Sequence, residues 1–117
     1  MTLPRATEGS HCVRTAEMDW VETDTPGFWV KVLLDETGAL TSAGNPTHGN
    51  TQLMRVDAGA FADFHDHTQL EEIYVLDGEF TDQYTTYRAG DYCVRAIGEP
   101  HRAGSDTGCT VLLVYRD

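Results

Sequence analysis

Three histidines and a glutamate carry the chemistry-bearing pattern of this chain. His65 and His67 are separated by one residue, Glu71 follows four positions after His67, and His101 lies well downstream. Alternate residues of a strand face the same side, so His65 and His67 can reach one point while Asp66 points away. On a helix, a metal-binding imidazole pair sits at i and i+4 instead. The pair therefore predicts a metal carried on a strand. Thr68, Gln69 and Leu70 are long enough for a turn, after which Glu71 opens a second strand and closes back onto the pair. Glu72 lies on the opposite face from Glu71, so only one of the two can be a ligand. Glu71 is assigned that role, and Glu72 that of a solvated or supporting carboxylate. Imidazole and carboxylate together suit zinc, iron, manganese, nickel or copper, and argue against an oxygen-only metal such as calcium. Standing alone, His-x-His is more often a pair of half-exposed strand histidines that bind nothing. The accompanying Glu71, His101 and the glycines at 59, 78, 90 and 98 tip the reading to a metal site.

The elements that must position these groups are short strands. The pattern predicts strands at 19–22, 28–34, 51–56, 62–67, 72–76, 79–84, 91–95 and 110–115, separated by turns rich in Gly, Asp and Pro. A hairpin-type turn is expected at 35–38 and a polar loop at 41–50, with His48 as an ordinary loop histidine. No segment has a helical period. Many short strands with frequent glycine imply an all-β antiparallel sandwich or barrel. Residues 1–16 are polar and irregular and are expected to form a mobile tail ahead of a single domain at 17–117.

Composition limits the partners. The chain has 117 residues, enough for one core but not two. Eight basic residues face 19 acidic ones, a net charge of −11. Such a surface repels phosphate backbones and anionic bilayers, so neither nucleic acid nor membrane is an expected partner. No apolar run approaches spanning length, and the N-terminus has no signal-peptide pattern. Cys12, Cys93 and Cys109 are an odd count without a Cys-x-x-Cys motif, which fits free thiols in a cytoplasmic protein. Cys93 and Cys109 fall in apolar strand patterns and read as buried thiols.

The spacing GX5HXHX3EX6G, from Gly59 through His65, His67 and Glu71 to Gly78, resembles the first motif of the cupin superfamily. The run Gly90, Ala96, Gly98, His101, Ser105 resembles the second, with Ala96 where the family has Pro and Ser105 where it has Asn. The wider agreement around Glu71–Phe80, Tyr87–Tyr92 and His101–Cys109 is similar to the ChrR-like cupins. That resemblance implies a single-domain jelly roll, with His65, His67, Glu71 and His101 as four ligands to one divalent transition metal. Iron(II) or zinc is the first expectation, manganese or nickel the next. The group includes a zinc-binding anti-sigma domain and small oxygenases that cleave diketones or hydroxylated aromatic ketones. The diketone enzymes use three histidines without the glutamate, so Glu71 leans towards the ChrR-type site.

Two functions are therefore expected. One is a small dioxygenase-type oxidoreductase acting on a dicarbonyl or phenolic molecule. The alternative is a non-catalytic zinc-binding sensor or small-ligand-binding cupin. Sixteen irregular residues before the cupin would not supply a helical sigma-binding segment. Arg55, Tyr74, Arg95 and Arg102 are candidates to hold an anionic or carbonyl substrate, although each alone is more often a strand residue facing solvent or a partner. Trp20, Phe28 and Trp29, in early strands outside the motifs, suggest a homodimer interface.

Overall fold

The computed structural model describes residue 10, residues 12–35 and residues 49–116. The strands are β1 (Val21–Glu22), β2 (Phe28–Asp35), β3 (Asn50–Val56), β4 (Ala60–Phe61), β5 (Leu70–Asp82), β6 (Thr86–Arg88), β7 (Tyr92–Arg95), β8 (Ala103–Ser105) and β9 (Cys109–Arg116), preceded by a 3₁₀ turn at Thr15–Glu17. Every strand pairing is antiparallel. The strand order β1-β2-β3-β9-β5-β8-β4, with β6 and β7 also on β5, forms a curled sheet. The fold is the all-β jelly roll that the cupin resemblance implied.

Strand β5 makes the curl. Its first part, Leu70 to Gly78, pairs with β9, and within it Glu71 to Tyr74 pair with β7. Its last part, Glu79 to Asp82, pairs with β6 and β8. The change of partners falls at a register shift between Val75 and Asp77, followed by Gly78 at φ +77°. A Cβ at Gly78 would run into the Gly108 carbonyl and lie 2.8 Å from the Cys109 Cα. Glycine is thus required twice there, for the left-handed backbone and for the close approach of β9. The sequence pattern predicts two strands, 72–76 and 79–84, because Gly78 reads as a break. The structure corrects this to one bulged strand, since a bulge bends a strand without ending it.

Period-2 alternation builds the core. Ile73, Val75, Val111 and Leu113 are at most 3% exposed and meet Phe28, Val56, Phe80, Ala103 and Tyr115 between the curled layers. The opposite face of β5 and β7 leaves Tyr74, Leu76, Tyr92 and Val94 each about half exposed. Phe28 is in the core, whereas Trp20 and Trp29 are half-buried and hold the Arg55 guanidinium between their rings. The 35–38 turn falls outside the described residues beyond Asp35, as do His48 and most of the expected 41–50 loop. The same is true of most of the 1–16 tail. Its described end is tied down, with Lys31 Nζ donating to the Thr15 carbonyl at 2.8 Å.

Candidate metal centre

The segment carrying His65 and His67 is extended but is not the strand expected at 62–67. Only β4, at Ala60–Phe61, and an isolated bridge between His65 and His101 are paired. The bridge consists of two hydrogen bonds, His65 N–H to the His101 carbonyl at 3.0 Å and His101 N–H to the His65 carbonyl at 2.9 Å. Pairing fades beyond it, yet the alternation persists. His67, Gln69, Glu71, Ile73 and Val75 are buried, while Asp66, Thr68, Tyr74 and Leu76 are exposed. The turn expected at Thr68–Leu70 is only a bend. Glu71 reaches the histidines because it shares their parity, not because the chain folds back.

A metal-ligating nitrogen from each of His65, His67 and His101 lies within 4.8 Å of the other two. The ring centroids of His65 and His101 are 4.4 Å apart, and those of His67 and His101 5.2 Å. His65 Nδ1 donates to the Asp63 carbonyl at 2.8 Å and His101 Nδ1 to the Glu99 carbonyl at 2.9 Å. A carbonyl only accepts, so both rings carry a proton on Nδ1 and turn Nε2 towards the cluster. His67 Nε2 is buried and makes no hydrogen bond. A buried polar nitrogen without a partner is costly unless something else satisfies it. Burial holds the His67 and His101 pKa values below normal, against the opposing pull of Glu71. Converging imidazole nitrogens, one of them buried and without a hydrogen-bond partner, fit a divalent transition metal.

Glu71 is 5% exposed and stands beside two of the rings. Its Oε2 is 3.4 Å from His67 Nε2 and its Oε1 3.6 Å from His101 Nε2. Glu72 faces outward, accepting from the Tyr92 hydroxyl at 2.6 Å and pairing with Arg116 at 2.6 Å. The two carboxylates thus separate by face as the sequence predicts.

Of the four proposed substrate-holding residues, Arg55 pairs loosely with Asp57 on the outer face, and Tyr74 and Arg102 are exposed. Arg95 does point inward, but into the wall behind Glu71. Its Nε is 3.3 Å from Glu71 Oε1 and its Nη2 2.9 Å from Asp82 Oδ2. Sequence reasoning did not single out Asp82 or Tyr115. Burial raises the Asp82 pKa, but the Thr85 and Tyr84 amides, the Tyr87 hydroxyl and Arg95 together outweigh it and hold the pKa below normal. Tyr115 is buried beside Glu71, and burial first, then the carboxylate, pushes its pKa well up. Both lie on inward parities of long strands, the one signal that could have found them.

A cavity of about 60 Å³ adjoins the cluster, lined among others by His65, His101, Glu71, Gln52 and Tyr115. Its apolar wall is Phe28, Val30, Met54 and Leu113, and Thr23 and Thr25 also line it. Outside lies a groove of about 340 Å³ that shares Thr25, Ala62 and His65 with the cavity and adds Phe61, Asp63 and Phe64. Ser105, at the position where the second motif usually has Asn, is fully buried; it donates to the Glu79 carbonyl at 2.5 Å and accepts from Gly108 N–H at 2.8 Å. Ala96, in place of Pro, begins a turn closed by Glu99 N–H to its carbonyl at 3.1 Å, and Gly98 N–H donates to the His67 carbonyl at 2.9 Å.

Comparisons with known proteins agree with this fold. The ChrR from Rhodobacter sphaeroides, solved in complex with SigE, aligns with a TM-score of 0.67 and 22% identity over 87% of this chain. This chain spans only 51% of that one. A putative acetylacetone dioxygenase from Methylibium petroleiphilum aligns at 0.74 and 14% identity, over 97% of this chain and 81% of its own. The polyketide cyclase RemF from Streptomyces resistomycificus aligns at 0.72 and 20% identity, over 92% and 79%. No curated protein sequence matches. At such identities the structural likeness concerns the fold alone. The model of the ChrR cupin-like domain matches residues 8–116, and the chain belongs to that family.

Proposed function

We propose that this protein binds one divalent transition metal through His65, His67 and His101, with Glu71 as the acidic ligand. We further propose that it acts as a small dioxygenase-type oxidoreductase on a dicarbonyl or phenolic molecule. The observation that carries the catalytic reading is the cavity on the imidazole cluster. A purely structural metal site is closed by protein on every side. Here a cavity of about 60 Å³, lined by His65, His101 and Glu71, adjoins the cluster. When bound, the metal supplies Lewis-acid and redox chemistry to an oxygen ligand.

The chain's own residues do the rest. Phe28, Val30, Met54 and Leu113 exclude water from the reacting end of a ligand. Gln52 brings an amide to the wall, with its Nε2 donating to Asn50 Oδ1 at 3.3 Å. Phe61 and Phe64 in the outer groove offer aromatic surface to the remainder of a substrate too large for the inner cavity. The experiment is metal analysis of the protein as isolated, then dioxygen uptake by the iron(II)-loaded form with a panel of diketones and hydroxylated aromatics. Turnover with any of them supports the reading.

The alternative is a zinc-binding sensor or ligand-binding domain. Glu71, close to both His67 and His101, favours it by offering a fourth protein ligand. Tight four-ligand zinc without turnover would select it. We also propose a cytoplasmic homodimer. The free cysteines suit a reducing compartment, and the exposed Tyr74, Leu76, Tyr92 and Val94 offer the dimer an apolar sheet face. Light scattering that returned a mass near 13.0 kDa would reject the dimer.

A further inference from the structure

We infer that Arg95 is a positioning residue for the metal centre: anchored by Asp82, it fixes where Glu71 stands beside the histidines. The inference rests on the metal reading above and adds a role for a residue that cannot itself ligate a cation. Arg95 and Asp82 lie behind the site, with side chains 4% and 0% exposed. Burying an arginine between two carboxylates is expensive, and hydrophobic residues of similar size would hold a wall at least as well. The arrangement is therefore informative about placement rather than about stability.

The geometry gives each group one task. Asp82 is immobilised first: its Oδ1 accepts from the Tyr84 and Thr85 amides at 2.8 and 3.0 Å, and its Oδ2 from the Tyr87 hydroxyl at 2.9 Å. That rigid carboxylate is ion-paired with Arg95 Nη2 at 2.9 Å, a charge contact not aligned as a hydrogen bond. The planar guanidinium then sets its Nε 3.3 Å from Glu71 Oε1 as an ion pair. Glu71 Oε2 is left facing His67 Nε2, at 3.4 Å. The backbone supports the same register, because Glu71 and Arg95 are direct cross-strand partners of β5 and β7. A lysine would keep the charge but has no fork to span two carboxylates.

The test is zinc affinity of the folded protein, measured by competition with a chromophoric chelator. Arg95→Lys should weaken zinc binding by about 10–100-fold, the usual cost of losing a group that orients a ligand. Asp82→Asn should weaken it similarly, and the double variant no more than either alone. In a Glu71→Gln background, where three histidines remain, Arg95→Lys should change affinity by no more than about twofold. Should Arg95→Lys fail to fold, Asp82→Asn decides on the same scale. Unchanged zinc affinity with a lowered melting temperature is the signature of packing and overturns the inference. So does a full loss that persists in the Glu71→Gln background. A wild-type protein that takes up no zinc overturns the metal reading itself, a different result from either.

Discussion

Replacing Glu71 and Glu72 in turn separates the inner from the outer carboxylate by stability as well as by metal binding. Glu71 is 5% exposed and its Oε1 lies 3.3 Å from Arg95 Nε. At an effective dielectric of about 20, two unit charges at that separation attract by about 5 kcal/mol. Asp82, 2.9 Å from Arg95, is untouched by the substitution, so the guanidinium keeps one partner. Removing Glu71 also removes the cost of burying it. The net loss for Glu71→Ala in metal-free protein is then about 3 kcal/mol, at the lower edge of values for broken buried pairs. For a domain of this size that is roughly 12 °C in melting temperature. Glu72 pairs with an Arg116 that is 66% exposed, a surface pair worth about 0–1 kcal/mol. Urea unfolding after chelator treatment reads both, and zinc titration reads the second effect, weaker retention in Glu71→Ala only. Equal destabilisation of the two variants, or the greater metal loss in Glu72→Ala, would refute the assignment of faces.

Gly78→Ala should cost about 3 kcal/mol or more, because a left-handed backbone (about 1–2 kcal/mol) and a clash with β9 add. Gly90→Ala, with φ +92° but open space around its Cβ, should cost only the backbone share, and urea midpoints compare the two. Burial pushes the Cys109 thiol up to about 11, so alkylation of the native protein at pH 8 should label exposed Cys12 and spare Cys109, as peptide mass spectrometry would show. The sign for stability follows: the unfolded thiol ionises first, so this contribution is complete below about pH 9 and fades as pH rises towards 11. His101→Ala should abolish stoichiometric zinc binding, because it removes one of three converging nitrogens while leaving the bridge to His65, which is made by backbone alone.

The clustering of His65 and His67 with Glu71 was legible because parity survives imperfect pairing. His65, His67 and Glu71 share an odd-numbered face whether their segment is a full strand or an extended edge. The error lay in supposing a strand and a turn where the chain has one bridge and a bend, and it did not move any side chain to the other face. Strand count was less legible. Short β4, β6 and β8 hold only two or three residues each, too few to show a period. Gly78 read as a break because composition cannot distinguish a bulge from a turn; the partner strand decides.

What sequence could not show is the second layer of the site. Arg95 is an ordinary strand arginine by type and spacing, and only the register of β7 against β5 sets it opposite Glu71. Asp82 falls inside the strand expected at 79–84, but the structure ends β5 there and uses one carboxylate oxygen to cap the Tyr84 and Thr85 amides. Its second oxygen is committed elsewhere, and that commitment exists only after β5 has passed Gly78 into the other layer. The histidines can be placed by counting along one chain segment. The carboxylate beside them contacts Arg95 and, through it, Asp82, so on the proposed reading the placement of Glu71 depends on the bulge as much as on the histidines.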